Sequence, residues 1–200
     1  MHSPFTAFEV QATAQPNAPM LIAPASAELS YAPDGFRISY GEVWDEVGRI
    51  RSRFGEAGYG AGHRIALLLE NRPEFFSHWL ALNALGISIV PLNPDLRPAE
   101  LDYQLDMADA DLVVTCSRNA PAIHGFVRPG LRVMEVADAV PPATASASRQ
   151  FGNADDECAL LFTSGSTGKP KGCILSNTYF MTLADWYVTQ GGIAETQRDC

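Results

Sequence analysis

Helical and strand-like periods alternate along this chain. Tyr40, Val43, Trp44, Val47, Ile50 and Phe54 recur at three- and four-residue steps and predict one apolar helix face. Ser39 and Glu42, three residues apart, read as a capping box at its start. Residues 58–62, bounded by Gly58 and Gly62, end that helix. A second helix opens at Pro73, carries Phe75, Phe76, Trp79, Leu80 and Leu82, and closes at Gly86. A third bears Leu101, Leu105 and Ala108 on one face. Between them lie short apolar runs at 65–69, 87–92, 112–115 and 131–136, as buried parallel strands require.

The two ends are less regular. A short helix opens the chain, residues 20–22 form a strand, and residues 29–31 and 36–38 flank Pro33-Asp34-Gly35 as a predicted hairpin. Residues 138–150 have no periodicity and contain Pro141-Pro142 among Ala and Ser, as an exposed linker would. Beyond it an apolar strand at 158–162 runs into a Gly/Ser/Thr loop. A second strand at 172–175 leaves that loop, and Ser176 or Asn177 caps a last helix with Tyr179, Phe180, Leu183 and Trp186. The predicted fold is α/β, a layered sheet with flanking helices. Residues 1–137 form a first subdomain, 138–150 the linker, and 151–200 the strand–loop–strand and helix of an incomplete domain.

Composition narrows the function classes. In 200 residues, 46% are hydrophobic and 18% charged, ordinary values for a folded chain. Fourteen basic against 23 acidic residues give a net charge of −9, which argues against a nucleic-acid partner. No apolar run is long enough for a transmembrane segment, and the first ten residues do not read as a secretory signal. Cys116, Cys158, Cys173 and Cys200 show no ligand-like spacing and suit free thiols in a reducing, cytoplasmic setting. His2, His63, His78 and His124 are scattered and predict no metal site. Phe75, Phe76, Trp79, Phe180 and Trp186 are expected in core packing, and Asp155-Asp156-Glu157 at a solvated loop end.

The chemistry concentrates in one loop. Thr163, Ser164, Ser166 and Thr167 supply hydroxyls, while Gly165 and Gly168 permit close backbone approach and positive φ. Successive N–H groups there can cradle an anion. Lys169 and Lys171 add charge at the exit, held apart by the stiff Pro170. The spacing matches neither a Walker A loop nor a dinucleotide fingerprint.

The nine residues 163–171 resemble the signature of the adenylate-forming superfamily, which includes acyl-CoA synthetases, peptide-synthetase adenylation domains and firefly luciferase. Residues 36–43 (FRISYGEV), 62–67 (GHRIAL, with His63 where the family usually has Asp) and 86–94 (GISIVPLNP) resemble three further family elements in the same order. The resemblance implies part of the family's large N-terminal domain. It also implies ATP and a carboxylic acid as substrates, Mg2+ with the nucleotide, and CoA as thiol acceptor. By the same resemblance, Thr163, Ser164, Gly165, Ser166, Thr167, Gly168, Lys169 and Lys171 would grip the β- and γ-phosphates. Asn177 stands where the family often has His, and a helix-capping role is expected of it, with a contact near the acyl site as the other reading.

No counterpart of the family's magnesium, ribose, adenine or C-terminal lysine elements is found in residues 1–200, so no catalytic residue is assigned. The expected function is that of an N-terminal piece of an acid–CoA ligase of fatty-acid, aromatic-acid or carnitine-like type, inactive alone, with a homo-oligomer allowed. A peptide-synthetase adenylation domain and a non-catalytic truncated paralogue are the alternatives. A flavodoxin-like binding domain leaves the loop unexplained.

Overall fold

A computed structural model describes residues 3–124, 131–148, 151–164 and 169–191. Helix α1 (Pro4–Ala14) starts where the Ser3 hydroxyl accepts the Thr6 N–H, with Pro4 at a position that needs no donor. Strands β1 (Pro19–Ala23) and β2 (Phe36–Ser39) pair antiparallel in a small separate sheet. Residues 29–31, expected to pair with β2, form turns instead. Their place is taken by β1, because the Tyr31 hydroxyl donates to the Asn71 carbonyl (2.7 Å) and its ring lies under Arg72. Gly35, at φ +75°, lets the returning chain pass; a Cβ there would stand 2.5 Å from the Ala23 carbonyl oxygen.

Helix α2 (Tyr40–Glu56) carries the predicted capping box. The Ser39 hydroxyl accepts the Glu42 N–H (3.2 Å), and Glu42 Oε2 accepts the Ser39 N–H (2.8 Å). The chain then alternates: β3 (Arg64–Leu68), α3 (Pro73–Ala84), β4 (Ser88–Pro91), α4 (Pro98–Ala108), β5 (Leu112–Thr115), α5 (Ala120–His124) and β6 (Arg132–Glu135). Strands β7 (Glu157–Thr163) and β8 (Lys171–Ser176) and helix α6 (Asn177–Thr189) follow. The main sheet runs β6-β5-β3-β4-β7-β8, parallel except for the final β7–β8 pair.

Alternate strand residues serve opposite faces. Ile65, Leu67, Ile89, Leu112 and Val114 pack against α1, α2 and α3, while Ala66, Leu68, Val90 and Val113 pack against α4 and Ile123 of α5. The connection from β3 therefore goes to one face and that from β4 to the other. Their carboxyl ends form a topological switch point, the crevice where open α/β sheets place ligands. Parallel strand β7 ends at the same edge.

Three expectations need adjustment. Residues 138–148 are largely exposed, as a linker should be, yet they are strapped to the α2–β3 turn. Ala143 N–H donates to the Ala57 carbonyl (2.7 Å), Ser148 N–H to Ala61 (2.6 Å), and His63 Nε2 meets the Ala145 carbonyl (3.1 Å). Trp186 is not core: it is 53% exposed, because α6 follows the edge strand β8 and only its start reaches α3. Phe180 does pack, edge-on against Trp79 with ring centroids 5.2 Å apart. In the acidic cluster only Asp155 is exposed. Asp156 accepts the Gly152 and Asn153 N–H groups, and Glu157 is half-buried in an ion pair.

Candidate functional site: the β7–β8 hairpin

Strand β7 buries Cys158, Ala159 and Leu160 and delivers an exposed Thr163 to the carboxyl edge of the sheet. The register Leu160–Ile174, Leu161–Cys173, Phe162–Gly172 and Thr163–Lys171 makes Thr163 and Lys171 the last ladder partners. Residues 164–170 thus form the connection. Gly172 accepts the close packing of the two strands; a Cβ there would stand 3.1 Å from the Leu160 side chain.

Thr163, Ser164, Lys169 and Lys171 are all exposed, at the two ends of that connection. Gly165, Ser166, Thr167 and Gly168 lie outside the described residues. Among the described residues Lys169 and Lys171 form no ion pair, whereas Arg49, Arg64, Arg72, Arg97 and Arg118 each have a carboxylate partner. Two uncompensated ammonium groups at one loop mouth favour an anion. Nearby on this edge, burial works against the charge of Glu74, but the Arg72 guanidinium, bonded at 2.8 and 2.9 Å, holds its carboxyl below the usual range.

The base of the hairpin is fastened by a buried polar hub. Asn83 Nδ2 donates to Asn177 Oδ1 (2.9 Å) and to Cys158 Sγ (3.4 Å), and Asn83 Oδ1 accepts the Phe5 N–H (3.1 Å). Asn177 Nδ2 reaches the Asn153 carbonyl (3.3 Å). Asn177 is therefore not the cap. Ser176 is, its hydroxyl accepting the Tyr179 N–H, and Asn177 is spent on joining α6 to α3. Burial pushes the Cys158 thiol up to about 11, which makes it an inert packing group. The sequence signal for this hub was Asn83, an amide inside an otherwise apolar helix face.

The opposite edge of the sheet is different in chemistry. A cavity of about 620 Å³ opens at the amino ends of β3, β4 and β7, lined by His63, Arg64, Ser88, Asp111, Asp156 and Glu157 among others. Arg64 binds Glu157 through Nε and a terminal nitrogen, both at 2.8 Å, and its N–H donates to Asp111 Oδ2 (2.8 Å). Desolvation raises the Glu157 pKa, yet the hydrogen bonds from Arg64, the Ser88 hydroxyl and the Arg64 charge together outweigh it and leave the carboxyl lowered. With Asp109, Asp111, Asp156 and Glu157 lining it against the single guanidinium of Arg64, this cavity repels phosphate. His63 and His78 are buried structural groups; burial lowers the His78 pKa.

A profile of AMP-binding enzymes matches residues 8–199. The chain belongs to the AMP-binding enzyme family. It is 31% identical over 169 residues to a crotonobetaine/carnitine–CoA ligase of Shigella flexneri, covering 76% of this chain and 33% of that protein. It thus spans about a third of the length of the curated relatives it matches. The fold is shared with two solved N-terminal portions of other proteins. One is the Klebsiella oxytoca NpsA N-terminal subdomain in complex with 3-hydroxyanthranilyl-AMSN, with TM-score 0.70, 22% identity, and 88% of this chain and 42% of that one covered. The other is the inhibitor-bound N-terminal domain of FACL13 from Mycobacterium tuberculosis, with TM-score 0.70, 23% identity, and 88% and 45% covered. No helix among the described residues is long and apolar enough to cross a membrane.

Proposed function

We propose that this chain carries the triphosphate grip of an ATP-dependent acid–CoA ligase. A carboxylate oxygen attacks the α-phosphorus of ATP, the bond to the bridging oxygen breaks, and pyrophosphate leaves with that electron pair. The resulting acyl-adenylate then passes its acyl group to the CoA thiol, releasing AMP. The observation that supports this is the hairpin closing at Thr163–Lys171 on the carboxyl edge, with Lys169 and Lys171 exposed and without an ion pair among the described residues, beside the topological switch point. In this role Thr163, Ser164, Lys169, Lys171 and the residues between them hold the β- and γ-phosphates. The lysines offset the charge that collects on departing pyrophosphate.

Mg2+ would enter on the triphosphate, since no cluster of three metal-ligating side chains stands among the described residues. CoA rather than a carrier-protein thiol is favoured by the carnitine-type CoA ligase relatives. The full ligase reaction is a proposal for a protein of the relatives' length, and this chain alone is expected not to complete it.

Calorimetric titration with ATP tests the reading. The chain should bind, and Lys171→Ala should weaken binding roughly 10- to 100-fold, the worth of one charge-assisted hydrogen bond of about 1.5–3 kcal/mol. No heat at millimolar ATP would refute it.

A further inference from the structure

One residue outside the hairpin touches its exit limb twice. Tyr103 lies on α4, between the fully buried Leu101 and Leu105, so the helix that carries it is fixed to the sheet. The Lys169 ammonium sits 5.7 Å from the centre of the Tyr103 ring, within cation–π range. The Tyr103 hydroxyl donates to the Pro170 carbonyl at 3.3 Å. A long, freely rotating side chain and the backbone beside it are thus held by one half-buried aromatic.

We propose that Tyr103 is a positioning residue for the phosphate loop, its ring the seat of Lys169 and its hydroxyl the tether of the exit limb. A free lysine loses rotamer freedom when it must point at a ligand. A ring that already confines the ammonium, without neutralising it, removes part of that loss before the anion arrives. Pro170 extends the effect to the backbone, because its fixed φ makes the tethered carbonyl and the Lys169–Pro170 peptide move together. The inference rests on the reading of residues 163–171 as a triphosphate grip, and adds the element that aims one of its charges.

The full chain is titrated with inorganic tripolyphosphate and with ATP, as wild type, Tyr103→Phe and Tyr103→Leu, and the methylene resonances of Lys169 are followed by NMR. Tyr103→Leu should weaken tripolyphosphate binding roughly 2- to 5-fold, the factor corresponding to a cation–π contact of about 0.5–1 kcal/mol. Tyr103→Phe, which keeps the ring, should recover most of the loss. The Lys169 methylenes should show an upfield ring-current shift in wild type and Tyr103→Phe, and none in Tyr103→Leu. If wild type binds tripolyphosphate and Tyr103→Leu binds it equally well, the positioning role is overturned while the phosphate grip stands. Equal losses in Tyr103→Phe and Tyr103→Leu would also overturn the seat. If wild type binds neither ligand, the grip itself fails and the positioning role with it.

Discussion

At the amino ends of β3, β4 and β7, Arg64 is held by Glu157 and Asp111, and Asp156 in the same cavity accepts the Gly152 and Asn153 N–H groups. At the carboxyl end of β7, Lys169 and Lys171 stand exposed with no ion pair among the described residues. Both edges carry charge, and a cavity of about 620 Å³ lies at the amino edge, where carboxylates predominate. The difference teaches that cavity size and charge pairing are separate guides to where a ligand binds. A paired, half-buried charge fixes strand positions, whereas an unpaired cation at a loop mouth is available to a ligand.

Substitutions at the two edges should therefore fail in opposite ways. The largest effect is expected from Arg64→Ala, which strands Glu157 half-buried and removes a bond to the Ala108 carbonyl. Urea unfolding should show a loss of about 3 kcal/mol, with ATP affinity of the folded protein unchanged. Next comes Lys171→Ala, which should cost about 2 kcal/mol of ATP affinity while leaving the unfolding midpoint within error of wild type. A variant that lowered both stability and affinity at either edge would erase the distinction.

A smaller effect is expected from pH. Burial raises the folded Glu157 carboxyl, but Arg64 and Ser88 together bring it below its ordinary value of 4.5, so its contribution is present above pH 4.5 and disappears as pH falls through the lower, folded value. Urea midpoints measured from pH 6 downward should fall in that acid window. Arg64→Ala should flatten this part of the curve. An unchanged slope in the variant would mean that other carboxylates carry the acid sensitivity.

Much of this was readable in the residues. The Ser39–Glu42 capping box, the apolar stripe of α2 and the short runs of β3, β4 and β5 are local patterns, and each formed where the pattern lay. The composition of residues 163–171 likewise pointed to an anion, and the described members, Thr163, Ser164, Lys169 and Lys171, are exposed. What the residues hid were pairings between distant segments. Nothing local says that β2 would take β1 rather than residues 29–31, since that choice turns on Tyr31 reaching Asn71. Nor does the sequence say that Asn177 would be spent on Asn83, 94 positions away. Trp186 was misjudged for a related reason: a helical apolar stripe marks a surface fit to be buried, and whether it is covered depends on what lies past the edge strand β8.

The central claim is that phosphate is received at the carboxyl edge, on the β7–β8 hairpin. Backbone amide NMR of the full chain during addition of ATP tests it directly. The account predicts shifts concentrated in residues 163–171, with the amides of residues 61–64 and 156–157 unmoved. Shifts confined to the amino-edge cavity, with the hairpin silent, would contradict it.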